Sequence, residues 1–220
     1  MAEDIFRIIR THGFAPLGWF APTVADEVPD DARCVVLIGN AGPDMFRRFE
    51  RERTPGQTLD DWTRHAAGTL AASLGARALF PFDLPPLPFQ RWGRRANAGF
   101  TSPLGLNIHP EFGLWHAFRA ALVFDAPQQL PAAAPMEHPC ERCADQPCLR
   151  ACPVSAFTGT TYEVQSCVRH IGSESGQLCV SGGCQARLAC PVGHNAAYHP
   201  AQMRFHMQAF RDAFRDARSR

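Results

Sequence analysis

The sequence predicts an α+β protein of two domains, and three observations support this. Apolar residues in the first part of the chain alternate between helical spacing and short continuous runs, as in a layered domain of helices and strands. Eight of the nine cysteines lie between Cys140 and Cys190. A stretch rich in proline and alanine, residues 126–139, separates the two regions and is expected to connect them. We therefore place an α/β, sandwich-like domain at residues 1–132 and a cysteine-rich domain at residues 133–220.

The elements of the N-terminal domain follow from the spacing of its apolar residues. A short helix is predicted to end near Gly13, and a second helix to cover residues 58–74. Strands are predicted where apolar residues run together, at residues 33–38, 76–80 and 117–124. Residues 39–57 and 81–91 are expected to be loops. In the second domain, a helix is predicted from about Pro200, with an apolar stripe that serves packing.

Charge and composition exclude several classes of protein. The chain has 22 basic and 21 acidic residues among 220, which argues against a general nucleic-acid binder. No apolar run reaches the length of a membrane span, and the acidic start lacks the pattern of a signal peptide. We expect a cytoplasmic protein without membrane association. Disulfides are disfavoured in such a reducing compartment, so nine cysteines indicate metal binding or redox chemistry.

The cysteines form two runs that each end in Cys-Pro. Residues 140–153 have the spacing C-x2-C-x4-C-x3-C-P, and residues 179–191 have the spacing C-x4-C-x5-C-P. The bacterial ferredoxin run is C-x2-C-x2-C-x3-C-P, and its fourth cysteine binds the other cluster. The first run matches this pattern with a two-residue expansion. Thiolates are soft, anionic donors that suit iron, so the array predicts a ferredoxin-like domain with two [4Fe–4S] clusters.

The number of cysteines matches two sites of four ligands. One cluster is assigned the ligands Cys140, Cys143, Cys148 and Cys190. The other is assigned Cys152, Cys167, Cys179 and Cys184. Cys34 is left over and is expected to be a buried thiol at the start of a strand. Two zinc sites of four cysteines each are an alternative, although zinc modules favour paired C-x2-C knuckles and only one such pair is present.

Two further segments resemble a known family. Residues 99–118 form a glycine- and aromatic-rich stretch that leads into Gly-x-Trp and then a strand. Residues 82–86, Phe-Asp-Leu-Pro-Pro, form an Asp-x-x-Pro element that lies upstream of it. Together with the cysteines and the opening His-Gly-Phe-Ala-Pro-Leu-Gly at residues 12–18, these segments resemble the epoxyqueuosine reductases, relatives of the corrinoid iron–sulfur reductive dehalogenases. The resemblance spans most of residues 5–195.

The resemblance implies an oxidoreductase with a defined set of site residues. In that family, electrons pass through two clusters to a cobalamin, and the aspartate of the Asp-x-x-Pro element donates a proton to the substrate. By resemblance the catalytic acid is Asp83, the cofactor-binding residues are Gly99 and Asn107, and cobalamin is a further cofactor. The apolar neighbours of Asp83 would raise its pKa by desolvation. Alternatively, Asp83 is a turn former that caps local backbone amides.

Some features depart from that family and leave the function open. Ser102-Pro103 stands where the family has Gly-Lys, and the family's helical-repeat extension, which helps to hold transfer RNA, has no counterpart in these 220 residues. Nucleic acid is therefore not expected as a partner, whereas a flavodoxin or ferredoxin as electron donor and a small-molecule substrate are. Three hypotheses are open: a reductase that passes electrons to a corrinoid or substrate, a non-catalytic electron carrier, and a corrinoid-handling protein.

Overall fold

The computed structural model describes residues 2–132 and 136–217, which form two compact units. The first unit comprises the chain up to Phe100 together with His116–Glu137. The second comprises Thr101–Trp115 together with the chain from His138 onward. Residues 133–135 lie outside the described residues. They follow directly on the domain boundary predicted after residue 132, and they form the middle of the predicted connection 126–139. Thr101–Trp115 belongs to the second unit, although the sequence analysis placed it in the first domain.

The first unit contains a four-stranded sheet in which all neighbouring strands run antiparallel. Its strands stand in the order β1-β2-β6-β3. They are β1 (Ala15–Phe20), β2 (Cys34–Ala41), β3 (Arg77–Leu79) and β6 (His116–Phe124). The short strands β4 (Phe100–Thr101) and β5 (Asn107–Ile108) form a separate two-stranded sheet. The α+β class is confirmed. This unit does not have the expected α/β arrangement, because all neighbouring strands of its sheet are antiparallel.

Strand β1 was not predicted, because Pro16 and Gly18 interrupt its apolar pattern. Proline is tolerated here because β1 lies at the edge of the sheet, where it pairs with β2 alone. The pairing register shifts between Pro16 and Trp19. Gly18 has a φ of 117°, and a Cβ at this position would lie 2.4 Å from the Ala96 carbonyl oxygen. This position therefore requires glycine, even though glycine weakens the local preference for a strand.

The described residues of the first unit form the α-helices α1 (Ala2–Thr11), α2 (Asp44–Glu52), α3 (Leu59–Ser73) and α4 (Phe89–Arg95). Helices α1 and α3 were predicted. Thr58 caps α3, accepting a hydrogen bond from the Asp61 amide at 3.1 Å and donating one from its own amide to the Asp61 carboxylate. Helices α2 and α4 show that the loops expected at residues 39–57 and 81–91 were wrong in part. Helix α2 forms because it buries Met45, Phe46 and Phe49.

The centre of the first unit is β2, where Val35, Val36, Leu37 and Ile38 are fully buried. Cys34, at the start of this strand, is 1% exposed, in agreement with the expected buried thiol. Burial raises the pKa of the Cys34 thiol from 9.0 to about 11, against the opposing effect of a hydrogen bond from the Gln128 amide. The folded protein thus holds the Cys34 proton more tightly than the unfolded chain does.

This pKa predicts a loss of stability in alkali. The contribution of Cys34 is fully present below pH 9 and is lost as the pH rises towards 11, because the unfolded chain releases the proton first. The loss amounts to about 2 to 3 kcal/mol. Denaturant unfolding of the wild type and Cys34→Ala at pH 8 and pH 11 measures it. The variant should lose less stability between these pH values, and equal losses in both proteins would contradict the prediction.

The second unit consists mainly of short helices: α5 (Pro147–Arg150), α6 (Val164–Ile171), α7 (Gln177–Gly182), α8 (Gln185–Leu188) and the longer α9 (Pro200–Ala217). The helix predicted from Pro200 is confirmed. Met207 and Phe210 of α9 pack against the buried residues Ile171, Cys179 and Val180, as expected for a packing stripe. Among the described residues, no helix has the length and apolar character needed to cross a membrane.

Candidate metal centre

Two single-turn helices position the cysteines of the second unit. Helix α5 carries Cys148 and is followed by Cys152-Pro153. Helix α8 begins directly after Cys184 and is followed by Cys190-Pro191. In both places one helical turn separates two cysteines, and the proline cannot continue the helix. The two cysteines around each helix therefore lie a short distance apart along the chain.

The first group of thiols gathers Cys140, Cys143, Cys148 and Cys190. Burial raises the pKa of the Cys140 thiol to about 11, and the nearby charges of Cys190, Cys148 and Cys143 add to this rise. Burial also raises the pKa of Cys148, again with a contribution from Cys190. Cys190 belongs to the second run in the sequence. Its side chain has therefore crossed to the three cysteines of the first run.

The second group gathers Cys152, Cys167, Cys179 and Cys184, which line one small cavity. Burial is the main cause of the raised pKa of Cys167, Cys179 and Cys184, and the charge of Cys152 contributes to each. Cys152 comes from the first run, so the crossing is reciprocal. The structure thus brings together the same two sets of four cysteines that the sequence analysis assigned, while their role as ligands stays a prediction.

Hydrogen-bond donors surround the sulfur atoms. The Ala156 amide donates to Cys152 Sγ at 3.3 Å, and the amides of Ala186 and Arg187 donate to Cys184. The amides of other residues donate to the remaining buried thiols: Leu149 to Cys148, Gln185 to Cys179 and Val192 to Cys190. The Tyr162 hydroxyl donates to Cys167. Such donors favour the thiolate form, which is the form that binds metal.

The spacing of the side chains bears on the kind of metal centre. Within residues 2–132 and 136–217, no three His, Cys, Asp or Glu side chains converge closely enough to hold a single metal ion. A zinc ion needs four ligand atoms at about 2.0 to 2.3 Å from one point. A four-iron cluster instead gives each thiolate its own iron at a separate corner, so its sulfur ligands stand farther apart.

Buried polar atoms without a partner concentrate in this unit. Among the described residues there are six such side-chain atoms, and five of them are in the second unit. They belong to Trp115, His170, Arg187 and Gln202. Buried polar groups are normally paired. His170 lines one cavity with the second thiol group, and Trp115 and Arg187 line another with Cys184, so these side chains fit an anionic sulfur cluster that accepts hydrogen bonds.

The glycine- and aromatic-rich segment packs against the loop that follows Cys190. A Cβ at Gly113 would lie 2.0 Å from the Val192 carbonyl oxygen, and one at Gly193 would lie 2.2 Å from the Phe112 carbonyl carbon. Both glycines have positive φ, 56° and 74°. Only glycine permits this approach of two backbones. The segment therefore supports the position of the last cysteine of the first group.

Arg187 in α8 fixes the same segment and was not singled out from the sequence. Its guanidinium donates a hydrogen bond to the Leu114 carbonyl oxygen. Its Cζ lies 4.7 Å from the centroid of the Trp115 ring and 4.5 Å from that of Tyr198. Each such cation–π contact contributes about 0.5 to 2 kcal/mol. The only signal in the sequence was the position of this arginine between two cysteines of the second run.

Asp83 lies in a turn of the first unit and has two partners. Its Oδ1 accepts a hydrogen bond from the Arg64 guanidinium at 2.9 Å, and its Oδ2 accepts one from the Phe80 amide at 2.8 Å. The Arg64 Cζ lies 4.6 Å from the Phe80 ring centroid and 5.0 Å from that of Phe82. The expected apolar enclosure is therefore wrong, since Asp83 is 27% exposed and paired with a cation. The Phe80 contact is the backbone capping of the alternative interpretation.

Gly99 and Asn107, the predicted cofactor-binding residues, fall in different units. Gly99 is buried in the first unit with a φ of 128°. Asn107 begins β5 and is half-buried in the second unit. Neither unit by itself contains both residues. The structure thus describes each residue within its own unit, and their role in binding a cofactor stays a prediction.

The fold is similar to that of solved epoxyqueuosine reductases. A crystal structure of epoxyqueuosine reductase with a tRNA-Tyr epoxyqueuosine-modified tRNA stem loop gives a TM-score of 0.55 at 18% identity, over 90% of this chain and 66% of that chain. The enzyme from Streptococcus thermophilus gives 0.53 at 15% identity, over 87% and 65%. A selenomethionine-labelled epoxyqueuosine reductase gives 0.53 at 17% identity, over 91% and 68%.

These likenesses confirm the resemblance to the epoxyqueuosine reductases at the level of the fold. The chain spans about two thirds of the length of these solved proteins. No protein-family model and no curated protein matches the sequence.

Proposed function

We propose that this chain is an oxidoreductase that passes electrons through two [4Fe–4S] clusters to a corrinoid or substrate in its N-terminal domain, in the manner of an epoxyqueuosine reductase. One observation carries the proposal: the two Cys-Pro runs exchange their last cysteines, so that each thiol group takes three cysteines from one part of the array and one from the other. This exchange is the ferredoxin pattern. The two Cys-Pro endings and the single C-x2-C pair favour iron–sulfur clusters over zinc.

The residues of the second unit would hold the clusters and set their surroundings. Cys140, Cys143, Cys148 and Cys190 would bind one cluster, and Cys152, Cys167, Cys179 and Cys184 would bind the other. When bound, the clusters supply one-electron transfer. Amide donors stabilise the negative charge on the cysteine sulfurs, and α9 covers the second group with apolar side chains that exclude water. Helices α5 and α8 connect the two groups through single turns, which favours transfer of an electron between them.

The acceptor remains the open part of the proposal. A related structure was solved with a modified tRNA stem loop, which conflicts with the expectation that nucleic acid is not a partner. We therefore include an epoxyqueuosine-modified stem loop among the candidate substrates. Asp83 is the candidate proton donor. In this role its carboxyl group would leave Arg64 and take up a proton from solvent before donating that proton to the substrate. A flavodoxin or ferredoxin is the proposed electron donor.

The second candidate function is a non-catalytic electron carrier. The contacts of Asp83 favour it, because a carboxylate that pairs with Arg64 and caps the Phe80 amide has a structural role without any substrate. In that case the second unit would exchange electrons with a redox partner, and the first unit would serve for docking.

An anaerobic turnover assay separates the two functions. Protein reduced by a low-potential viologen is mixed with the epoxyqueuosine-modified stem loop, with and without cobalamin, and product is measured alongside reoxidation of the viologen. The reductase proposal predicts product from the modified stem loop and none without protein. If electrons pass to a flavodoxin while no product forms under any condition, reduction of the modified stem loop is refuted and the electron carrier is favoured.

A further inference from the structure

His170 has an unexplained buried nitrogen. Its Nε2 is shielded from solvent and has no hydrogen-bond partner among the described residues. Leaving a buried donor unpaired costs about 1 to 3 kcal/mol, so such groups are rare in native proteins. The position of the ring indicates which group could supply the partner.

The ring lines the cavity of the second thiol group. His170 stands three residues after Cys167 on α6, and residues at this spacing share a helix face. The same cavity is lined by Cys152, Cys167, Cys179 and Cys184. Among the described residues that line this cavity, Gln185 is the one polar side chain besides the cysteines and His170. Its side-chain amide donates to the Gly183 carbonyl oxygen at 2.9 Å. His170 is therefore the polar side chain that this cavity leaves unpaired.

We propose that His170 donates a hydrogen bond from Nε2 to a sulfur atom of the cluster held by the second thiol group. The inference rests on the proposed function, because it needs a cluster in that cavity. Four cysteines already fill the ligand positions of the cluster, so the imidazole is not required as an iron ligand. Sulfur atoms of a cluster carry negative charge and accept hydrogen bonds, which gives the buried Nε2 its missing partner.

This hydrogen bond makes His170 a positioning residue that sets the reduction potential. Adding an electron increases the negative charge on the cluster sulfurs, and a donor stabilises the reduced state more than the oxidised state. His170 therefore raises the potential of the second cluster. Because the first group does not share this cavity, we expect its cluster to keep its potential when His170 is replaced.

Redox titration followed by electron paramagnetic resonance tests the proposal on the complete, anaerobically purified protein. His170→Phe keeps a ring and removes the donor, whereas His170→Gln keeps an N–H group near the position of Nε2. The control is His199→Phe, which replaces an exposed histidine outside the cavity by the same residue, phenylalanine. We expect His170→Phe to lower the potential of one cluster by up to a tenfold change in its one-electron equilibrium, which is about 59 mV. His170→Gln and His199→Phe should leave both potentials close to those of the wild type.

Iron and sulfide content separates the outcomes. If the wild type contains no sulfide, the protein has no cluster. This result contradicts the proposed function, and the inference about His170 is then wrong because it requires a cluster. If His170→Phe keeps its iron and both potentials are unchanged, the hydrogen bond is refuted while the clusters stand. If His170→Phe loses half of its iron and His170→Gln does not, the hydrogen bond is supported, because only the variant without a donor loses the cluster. Equal iron loss in both variants would show that the ring shape matters and would overturn the donor role.

Discussion

Replacement of Cys184 by serine is expected to remove one of two clusters, so that iron and sulfide fall from about eight to about four per chain. Cys184 lies in the second thiol group, and its sulfur accepts hydrogen bonds from two backbone amides. A serine hydroxyl is a harder donor that does not ionise near neutral pH, and it is a poor substitute for a thiolate on iron. Iron and acid-labile sulfide analysis after anaerobic purification measures the loss.

Cys34→Ser is the matched control, because Cys34 is a buried thiol of the first unit that lies outside both groups. Its iron content should equal that of the wild type. Cys143→Ser should remove the other cluster, and its paramagnetic resonance spectrum should keep the signal that Cys184→Ser loses. Loss of iron from the Cys34 variant, with full iron in the Cys184 variant, would show that the assignment of ligands is wrong.

Asp83→Asn is expected to lower turnover by about a hundred-fold or more, the usual effect of removing a general acid. Asparagine has nearly the same shape and can still accept the hydrogen bond from the Phe80 amide, but it has no proton to transfer. The ion pair with Arg64 is partly exposed, so its loss should lower stability by no more than about 1 kcal/mol. Iron and sulfide content should stay unchanged.

Arg64→Met provides the comparison for this variant. It removes the same ion pair and leaves the Asp83 carboxyl group in place. Turnover of the modified stem loop, measured for both variants beside their unfolding midpoints, distinguishes proton donation from a turn-forming role. If Asp83→Asn is as active as the wild type, Asp83 has no part in the chemistry and the electron-carrier function is favoured.

The sequence predicted those parts of the fold that are determined locally. Helix α3 carries its capping residues and its apolar face within one continuous segment, and β2 is a run of apolar residues. Helix α2 was missed because six of its nine residues are charged and its burial depends on packing against the sheet. Strand β1 was missed because Gly18 interrupts its apolar pattern. Glycine is required there by the close approach of the Ala96 carbonyl oxygen, which is distant in the sequence.

In the candidate site, too, the sequence predicted what is determined locally and missed what depends on tertiary packing. The two thiol groups could be assigned because cluster ligands lie in short runs whose spacing reflects the geometry of the cluster. The pairing of Asp83 with Arg64 could not be predicted from the sequence, because Arg64 lies on α3, nineteen residues earlier in the chain. The pairing of Arg187 with Trp115 and the unpaired nitrogen of His170 likewise depend on how separate helices and loops pack. Tertiary contacts of this kind leave no periodic pattern in the sequence.

Elemental analysis of the anaerobically purified wild-type protein tests the central claim most directly. Iron, acid-labile sulfide, zinc and cobalt are measured in the same sample and divided by the protein concentration. Two [4Fe–4S] clusters predict about eight irons and eight sulfides per chain, with no stoichiometric zinc. About two zinc ions per chain without acid-labile sulfide would contradict the account and identify the cysteine array as a pair of zinc sites.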